Sequence, residues 1–333
     1  MGCYDETRDD PAPSSMILAL IWAISAAAAY VYAHQQGIPA GIALRTFPAF
    51  LLEVSFFYVL GSERLRARIE KLPRAATALI LTAMAVAPYC AASLLLGSFA
   101  FRSLAEIAGL AALAAFWYVL LPHKAPADIL FLFLLALVWL AKVFQPLYMS
   151  PVPRLPLFVL GQLMWIRTGA LALLCVRRVK GVGFGFWPEN REWGIGVLYY
   201  ALFLPVAAPL ASAIGFAKPH FVSPDFERTA LLAIGTFFGT LWVTALGEEF
   251  FFRGLLQQWL GDWLGNEWVG LAAASLAFGS VHLWFRHFPN WRFAALAAVA
   301  GIFYGLAFRQ ARSIRASMVA HALTVTTWRL FFS

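Results

Sequence analysis

Charge and cysteine are both scarce in this chain. Only 13% of its 333 residues are charged, against about 25% in an ordinary soluble domain. The three cysteines, Cys3, Cys90 and Cys175, are an odd number without CxxC spacing, so the sequence supports neither a disulfide framework nor a thiolate metal site. An HExxH sequence, the usual helical zinc signature, is also lacking. These absences argue against a soluble globule, a disulfide-rich domain and a redox protein.

Hydrophobic residues are correspondingly abundant. They make up 62% of the chain, which includes 30 Phe and 13 Trp, and the mean hydropathy is +0.74. Apolar runs near 20 residues are long enough for a helix to cross ~30 Å of hydrocarbon. The sequence therefore predicts an all-α, polytopic transmembrane helical bundle of about 11 spans, within a range of about 9–12. The predicted spans are residues 16–33, 46–61, 75–97, 104–121, 128–148, 156–176, 193–215, 229–260, 268–286, 293–308 and 313–332.

Basic residues lie in short patches between the apolar runs, as membrane topology requires. The net charge of +8 is therefore assigned to orientation in a lipid bilayer and not to nucleic acid. The bias favours a cytoplasmic N-terminus, and the Ala-, Leu- and Arg-rich composition points to the inner membrane of a bacterium. The basic residues of the predicted inner loops are Arg64, Arg66, Arg68, Lys71, Arg74, Lys124, Arg177, Arg178, Lys180, Arg191, Arg309, Arg312 and Arg315.

Four segments are predicted along the chain. Residues 1–15 are polar and acidic and lack the basic start of a secretory signal, so we expect a cytoplasmic tail. Residues 16–176 form a six-span membrane region. Residues 177–228 mix glycines, aromatics and charges at their start and are predicted to be an interfacial segment plus one span, and residues 229–333 form a last membrane core.

Ionisable side chains inside the predicted spans are expected to have a charged partner or a function, because placing each one at mid-span costs at least ~2.5–3.5 kcal/mol of free energy. Arg167 is expected to snorkel or to pair with a carboxylate on a neighbouring helix. The sequence GEEFFFRG at 247–254 concentrates three charges. Glu249 and Arg253 are four residues apart and predict an ion pair on one helix face, whereas Glu248 points about 100° away. An unpaired carboxylate in apolar surroundings is suited to be a general base.

Two histidines follow on separate predicted spans. His282 comes one turn after Phe278, beside the small residues Gly279 and Ser280, which allow another helix to approach closely. His321 is flanked by alanines on the last span. A glutamate and two imidazoles around a water molecule can form a hydrolytic site, in which the carboxylate takes the proton and the imidazoles position the water and stabilise the oxyanion. The same side chains could instead bind zinc as a His₂Glu set.

Three motifs together resemble the CPBP family of intramembrane endopeptidases, which includes the CAAX prenyl proteases and bacteriocin-processing relatives. They are EExxxR from Glu248 to Arg253, FxxxH from Phe278 to His282, and a third histidine, His321. The resemblance covers roughly residues 230–333. It implies an all-helical membrane core and hydrolysis of a peptide bond near the membrane-associated C-terminus of a protein or peptide substrate.

The resemblance also implies a role for each matching residue. Glu248 would activate the water with help from His282, Glu249 with Arg253 would hold the geometry of the site, and His321 would contribute to the oxyanion site. We expect no cofactor and favour this glutamic mechanism over a metal. A divalent metal such as zinc remains an alternative, with Glu248, His282 and His321 as its ligands.

One position departs from the family pattern. The last motif usually reads HxxxN or HxxxD, but Val325 stands four residues after His321, and its side chain cannot donate a hydrogen bond. Thr324, Thr326 or a residue of another helix would have to substitute. The departure suggests a divergent subgroup, similar to the glutamic-type proteases associated with bacterial C-terminal sorting signals.

Two other classes of function fit the same residues. Glu248, Glu249, His282 and His321 could form a proton or cation path in a transporter, although two halves with paired broken helices, which such a transporter often has, are not evident. A catalytically inert relative that only binds peptide or lipid is the second alternative, and Val325 favours it. An intramembrane protease is the function that we predict.

Overall fold

The computed structural model describes residues 14–216, 226–285 and 287–332, and these parts of the chain are helical without a β-strand. The all-α prediction is therefore confirmed. Most of the predicted tail 1–15, with Cys3, lies outside the described residues. The described helices are α1 (Ser14–Gln36), α2 (Ala40–Gly61), α3 (Glu63–Glu70), α4 (Arg74–Leu96), α5 (Phe101–Leu120), α6 (Ala125–Leu140), α7 (Phe158–Val176), α8 (Asn190–Ala213), α9 (Phe226–Leu264), α10 (Glu267–Val281), α11 (Trp291–Ala311) and α12 (Ile314–Phe331).

A helix occupies each of the eleven predicted span segments, although not every helix has the length of a span. Among the described residues, eight helices are long and apolar enough to cross a membrane. The helices that fall short are α6 with 16 residues, α10 with 15, and α12, whose 18 residues include several polar ones. Two of these three, α10 and α12, flank the site described below.

Local turn chemistry ends the helices where the sequence predicts breaks. Between α9 and α10, Gly265 adopts a left-handed conformation with φ +67°, and the Asn266 side chain accepts hydrogen bonds from the backbone of Trp268 and Val269. Glycine suits the first position because it has no Cβ, and asparagine is a preferred N-cap. This two-residue turn makes α9 and α10 antiparallel neighbours.

Internal packing divides the chain into two compact units, one ending at Arg178 and one starting at Val179. In the first unit, Arg167 of α7 forms a two-pronged ion pair with Glu53 of α2, with nitrogen–oxygen distances of 2.7 and 3.1 Å. Both side chains are fully buried. The predicted pairing of Arg167 with a carboxylate on a neighbouring helix is confirmed. The four-segment division of the chain stays a prediction.

The second unit contains α8 to α12 around a large buried apolar cluster. Helices α8, α9, α10, α11 and α12 all contribute to this cluster, which surrounds the aromatic rings of Phe278 and Tyr304. The candidate site lies against these two rings. The buried members of the cluster are Phe203, Ala207, Ala211, Phe252, Phe278, Leu296, Ala297, Ala300, Tyr304 and Ala320.

Candidate active site

Helix α9 is not a regular α-helix near the GEEFFFRG sequence. Thr240–Ala245 and Phe250–Gln257 are π-helical, and Leu246–Glu249 form one α-helical turn between them. From Phe250 onward the helix turns less than the expected 100° per residue, because a π-helix bonds residue i to i+5. The predicted angle of about 100° between Glu248 and Glu249 falls on the α-helical turn. Insertions of π-helix are frequent at functional sites. They place both glutamates on the short α-helical turn.

Glu249 and Arg253 form the predicted ion pair despite this irregularity. Nη1 of Arg253 donates to Oε1 of Glu249 at 3.1 Å, and both side chains are buried. Nη2 of Arg253 donates to the carbonyl oxygen of Gly301 on α11 at 3.2 Å. The guanidinium also lies 4.4 Å from the centroid of the Phe278 ring and 5.3 Å from that of Tyr304, positions that favour a cation–π attraction. Arg253 thus joins α9 to α10 and α11.

His321 of α12 lies between the two glutamates. Its Nδ1 is 2.8 Å from Oε1 of Glu249, and its Nε2 is 3.9 Å from Oε2 of Glu248. Because the ionised Glu249 carboxylate can only accept, Nδ1 carries the hydrogen and donates it. The second ring nitrogen is then left facing Glu248. The structure therefore brings together four of the predicted site residues in the order Arg253, Glu249, His321 and Glu248.

Burial distinguishes the two carboxylates. The Glu249 side chain is fully buried, whereas that of Glu248 is 34% exposed. One oxygen of each carboxylate, Oε2, is buried without a hydrogen-bond partner. Buried polar atoms are nearly always satisfied, so such atoms call for an explanation. The buried Oε2 of Glu248 faces Nε2 of His321, so the exposed part of this side chain lies on its other side.

His282 approaches the site through an aromatic ring and not through a hydrogen bond. It stands at the C-terminal end of α10, where its Nδ1 is 2.7 Å from the carbonyl oxygen of Phe278. The carbonyl accepts, so Nδ1 donates and Nε2 keeps its lone pair. The Phe278 ring contacts both imidazoles, with centroids 4.7 Å from His282 and 5.9 Å from His321. Within the described ranges, no hydrogen bond joins His282 to Glu248 or Glu249. The imidazole next to Glu248 is therefore that of His321.

The small residues before His282 allow the close helix approach that the sequence predicts. A Cβ atom added at Gly279 would lie 2.6 Å from the carbonyl oxygen of Ala294 and 2.7 Å from the Cβ of Ala298, both on α11. Real Cβ atoms do not come this close to backbone atoms. Only glycine lets α10 pack here, and this packing holds the end of α10 that carries His282.

A Gly279→Ala variant is expected to lose about 1–3 kcal/mol of stability, the usual result of overpacking a tight interface. Helices α10 and α11 would have to separate to admit the methyl group. Thermal unfolding in detergent measures the change. Gly194→Ala on α8 is the matched control, since nothing lies within 4 Å of its added Cβ, and alanine favours helices. Equal melting temperatures for the two variants would contradict the expectation.

The threonines near Val325 are both occupied. The hydroxyl of Thr324 donates to the carbonyl oxygen of Ala320 at 2.9 Å, and that of Thr326 donates to Ala322 at 2.7 Å. Each hydroxyl has one hydrogen to give. Neither threonine therefore offers a free donor in place of the amide that the family usually carries at the position of Val325.

A protein metal site needs at least three ligand side chains grouped together. In the parts of the chain that the structure describes, no three His, Cys, Asp or Glu side chains form a group that could hold one. Glu249 is already engaged by Arg253 and His321, and His282 is held by Phe278. The alternative ligand set of Glu248, His282 and His321 does not meet this requirement, and the expectation that no cofactor is needed stays a prediction.

Sequence reasoning missed Tyr304 of α11. Its ring stacks on His321 with centroids 4.8 Å apart and an interplanar angle of 15°. Its backbone carbonyl accepts a 2.8 Å hydrogen bond from the hydroxyl of Ser317 on α12. A tyrosine in the middle of an apolar helix was the available signal, because a buried hydroxyl needs a partner. Tyr304 belongs to none of the three motifs.

Comparison with known proteins supports the motif-based interpretation. Residues 230–327 match the family model described as Type II CAAX prenyl endopeptidase Rce1-like. Comparisons with curated proteins and with solved structures gave no match. Together with the apolar helices, the family match indicates an integral membrane protein. The matched segment runs from α9 into α12 and contains Glu248, Glu249, Arg253, His282 and His321. The resemblance is thereby confirmed for residues 230–327, where the chain is similar to Rce1-like members of the CPBP family of intramembrane proteases.

Proposed function

We propose that this chain is an intramembrane endopeptidase that hydrolyses a peptide bond with a water molecule activated by Glu248. One observation carries the proposal. His321 lies between two carboxylates, one buried and paired with Arg253, the other partly exposed and 3.9 Å from the imidazole. A site that only held the helices together would need the paired Glu249 alone. Hydrolysis explains why a second, accessible carboxylate, that of Glu248, is present as well.

Glu248 acts as the general base in this proposal. Its carboxylate removes a proton from the water, the water oxygen attacks the carbonyl carbon of the peptide bond, and the carbonyl electrons move onto the oxygen. When the tetrahedral intermediate collapses, the carbon–nitrogen bond breaks and the amine leaves with the proton held by Glu248. Proton transfer by a positioned side chain contributes about 10²–10⁴ in rate. The partial exposure of Glu248 lets water and substrate reach it.

Glu249 and Arg253 position His321. The buried carboxylate holds the imidazole by its Nδ1 hydrogen, and Arg253 balances the charge of that carboxylate. In this arrangement Nε2 carries a hydrogen only when the ring is an imidazolium. In that form Nε2 donates to the oxyanion, the role that the resemblance implies for His321.

His282 assists the water in this proposal, again by resemblance. Its Nε2 lone pair is available because Nδ1 donates to the carbonyl oxygen of Phe278. A neutral imidazole with an accepting nitrogen can orient one hydrogen of a water molecule. The remaining hydrogen then points to Glu248. This division of tasks needs no metal ion.

The substrate in this proposal is a membrane-anchored protein or peptide cut near its C-terminus. The description of the matching family as CAAX prenyl endopeptidases supports a C-terminal site. The bacterial inner membrane with a cytoplasmic N-terminus is the proposed location, and the lipid bilayer is the partner. The subgroup that acts on bacterial C-terminal sorting signals is the proposed relative, because Val325 departs from the general motif.

A peptide library tests the function. Purified protein in detergent is mixed with tagged, membrane-anchored C-terminal peptides, and products are identified by mass spectrometry with and without a chelator. We expect one or a few peptides to be cut, at rates that the chelator leaves unchanged. Loss of cleavage with chelator and recovery with added zinc would overturn the glutamic mechanism. Ion flux through reconstituted vesicles with every peptide intact would favour the transporter alternative.

A further inference from the structure

Tyr304 lies among all the charged groups of the site. Its ring stacks on His321 with centroids 4.8 Å apart and lies 5.3 Å from the Arg253 guanidinium, and its hydroxyl faces the Thr324 side chain. The residue is 2% exposed. Thr324 directly precedes Val325, the position at which the family usually has Asn or Asp. The Tyr304 hydroxyl thus lies beside the segment of α12 in which the family usually carries that side chain.

An oxyanion site uses more than one hydrogen-bond donor, and Nε2 of the His321 imidazolium supplies only one of them. The His321 hydrogen on Nδ1 goes to Glu249, and the hydroxyl hydrogens of Thr324 and Thr326 go to backbone carbonyls, so a second donor must come from another side chain. Among the side chains that pair or stack with His321 in the described residues, Tyr304 is the one that carries a neutral O–H group.

We propose that the Tyr304 hydroxyl donates a hydrogen bond to the oxyanion of the tetrahedral intermediate, in place of an amide side chain at position 325. The inference rests on the proposed function. The hydroxyl keeps its proton throughout: the water proton goes to Glu248 and then to the leaving amine. A phenol is a sufficiently strong donor for this task, and side-chain hydroxyls of tyrosine serve in oxyanion sites of other enzymes.

Packing holds Tyr304 ready for this role. The ring is fixed by stacking on His321 and by the guanidinium of Arg253, 5.3 Å from its centroid. The backbone is fixed by Ser317, whose buried hydroxyl donates to the Tyr304 carbonyl oxygen. A donor that is oriented before the reaction requires little reorganisation in the transition state.

The test compares Tyr304→Phe with Tyr200→Phe. The phenylalanine keeps the ring that stacks on His321 and removes only the hydroxyl. Tyr200 of α8 is the matched control, because it is another tyrosine whose hydroxyl meets α12, where it hydrogen-bonds Thr327. We expect Tyr304→Phe to lower kcat about 100-fold with KM unchanged, as for the loss of one oxyanion donor, and Tyr200→Phe to keep most of the activity.

A second substitution separates a chemical role from a packing role. Adding Val325→Asn to Tyr304→Phe restores the family's amide, and we expect kcat to recover at least about tenfold. A tyrosine that only supports the fold would not be rescued in this way. Equal kcat for Tyr304→Phe and wild type would overturn the inference. So would a loss of kcat in Tyr304→Phe that Val325→Asn does not restore and that Tyr200→Phe shows to the same extent. Failure of the proposed function looks different, because the wild-type protein would then cut no peptide or Glu248→Gln would cut as fast as wild type.

Discussion

A Glu248→Gln variant is expected to lose peptide cleavage by about 100- to 10,000-fold, the range for removal of a general base. The substitution preserves the size of the side chain and its ability to accept a hydrogen bond, but an amide does not take up the water proton. Glu248 is partly exposed and is not held by Arg253, so the fold should persist. Initial rates of peptide cleavage and thermal unfolding in the same detergent measure both effects.

Glu267→Gln provides the matched control for this variant. Glu267 lies at the start of α10, where it pairs with Arg309 and Arg312 at 3.1 and 3.2 Å on the exposed end of the helix. Exposed ion pairs contribute little to stability. We expect wild-type rates from Glu267→Gln. Comparable rates for Glu248→Gln and Glu267→Gln would remove Glu248 from the chemistry and favour an inert binder or a transporter.

An Arg253→Met variant is expected to lose about 3–5 kcal/mol of stability together with most of its activity. Methionine fills the space but leaves the buried Glu249 carboxylate without its counter-charge, and breaking a buried ion pair from one side has this size of effect. The hydrogen bond to Gly301 on α11 is lost as well. Thermal unfolding in detergent measures the stability, and the peptide assay measures the activity.

Two further variants show whether the unpaired charge of Glu249 causes the loss of stability in Arg253→Met. The double variant Glu249→Gln with Arg253→Met removes the charge, so it should regain stability relative to Arg253→Met without regaining activity, because His321 no longer has a carboxylate to hold it. Arg309→Met breaks an ion pair in which both side chains are at least a third exposed and should hardly change the melting temperature. A double variant no more stable than Arg253→Met would contradict this account.

Much of the helical architecture could be predicted because lipid restricts the choices. A chain in hydrocarbon must satisfy its backbone internally, so apolar runs between turn residues predict helices, and Gly265 and Asn266 fall where a break was expected. The lengths were harder to predict. Helix α10 ends at Val281, just before His282, whereas the apolar run continues to residue 286. Apolar composition therefore does not show where this helix ends.

The site could be predicted in part. The spacing of Glu249 and Arg253 predicts their pair, since residues four apart meet on a helix. The position of His321 between the two glutamates could not be predicted, because it depends on contacts between residues 72 apart in the chain and on π-helical turns that no simple periodicity encodes. Tyr304 was missed for the same reason: its partner His321 lies on another helix.

Cleavage in water labelled with ¹⁸O tests the central claim most directly. Wild-type protein and Glu248→Gln are reconstituted in sealed vesicles with the best-cut library peptide, and the products are weighed by mass spectrometry. We predict one ¹⁸O atom in the new carboxylate of the product for wild type, and intact peptide for the variant over the same time. Intact peptide with both proteins, or equal labelled product with both, would contradict the claim that Glu248 activates water for peptide hydrolysis.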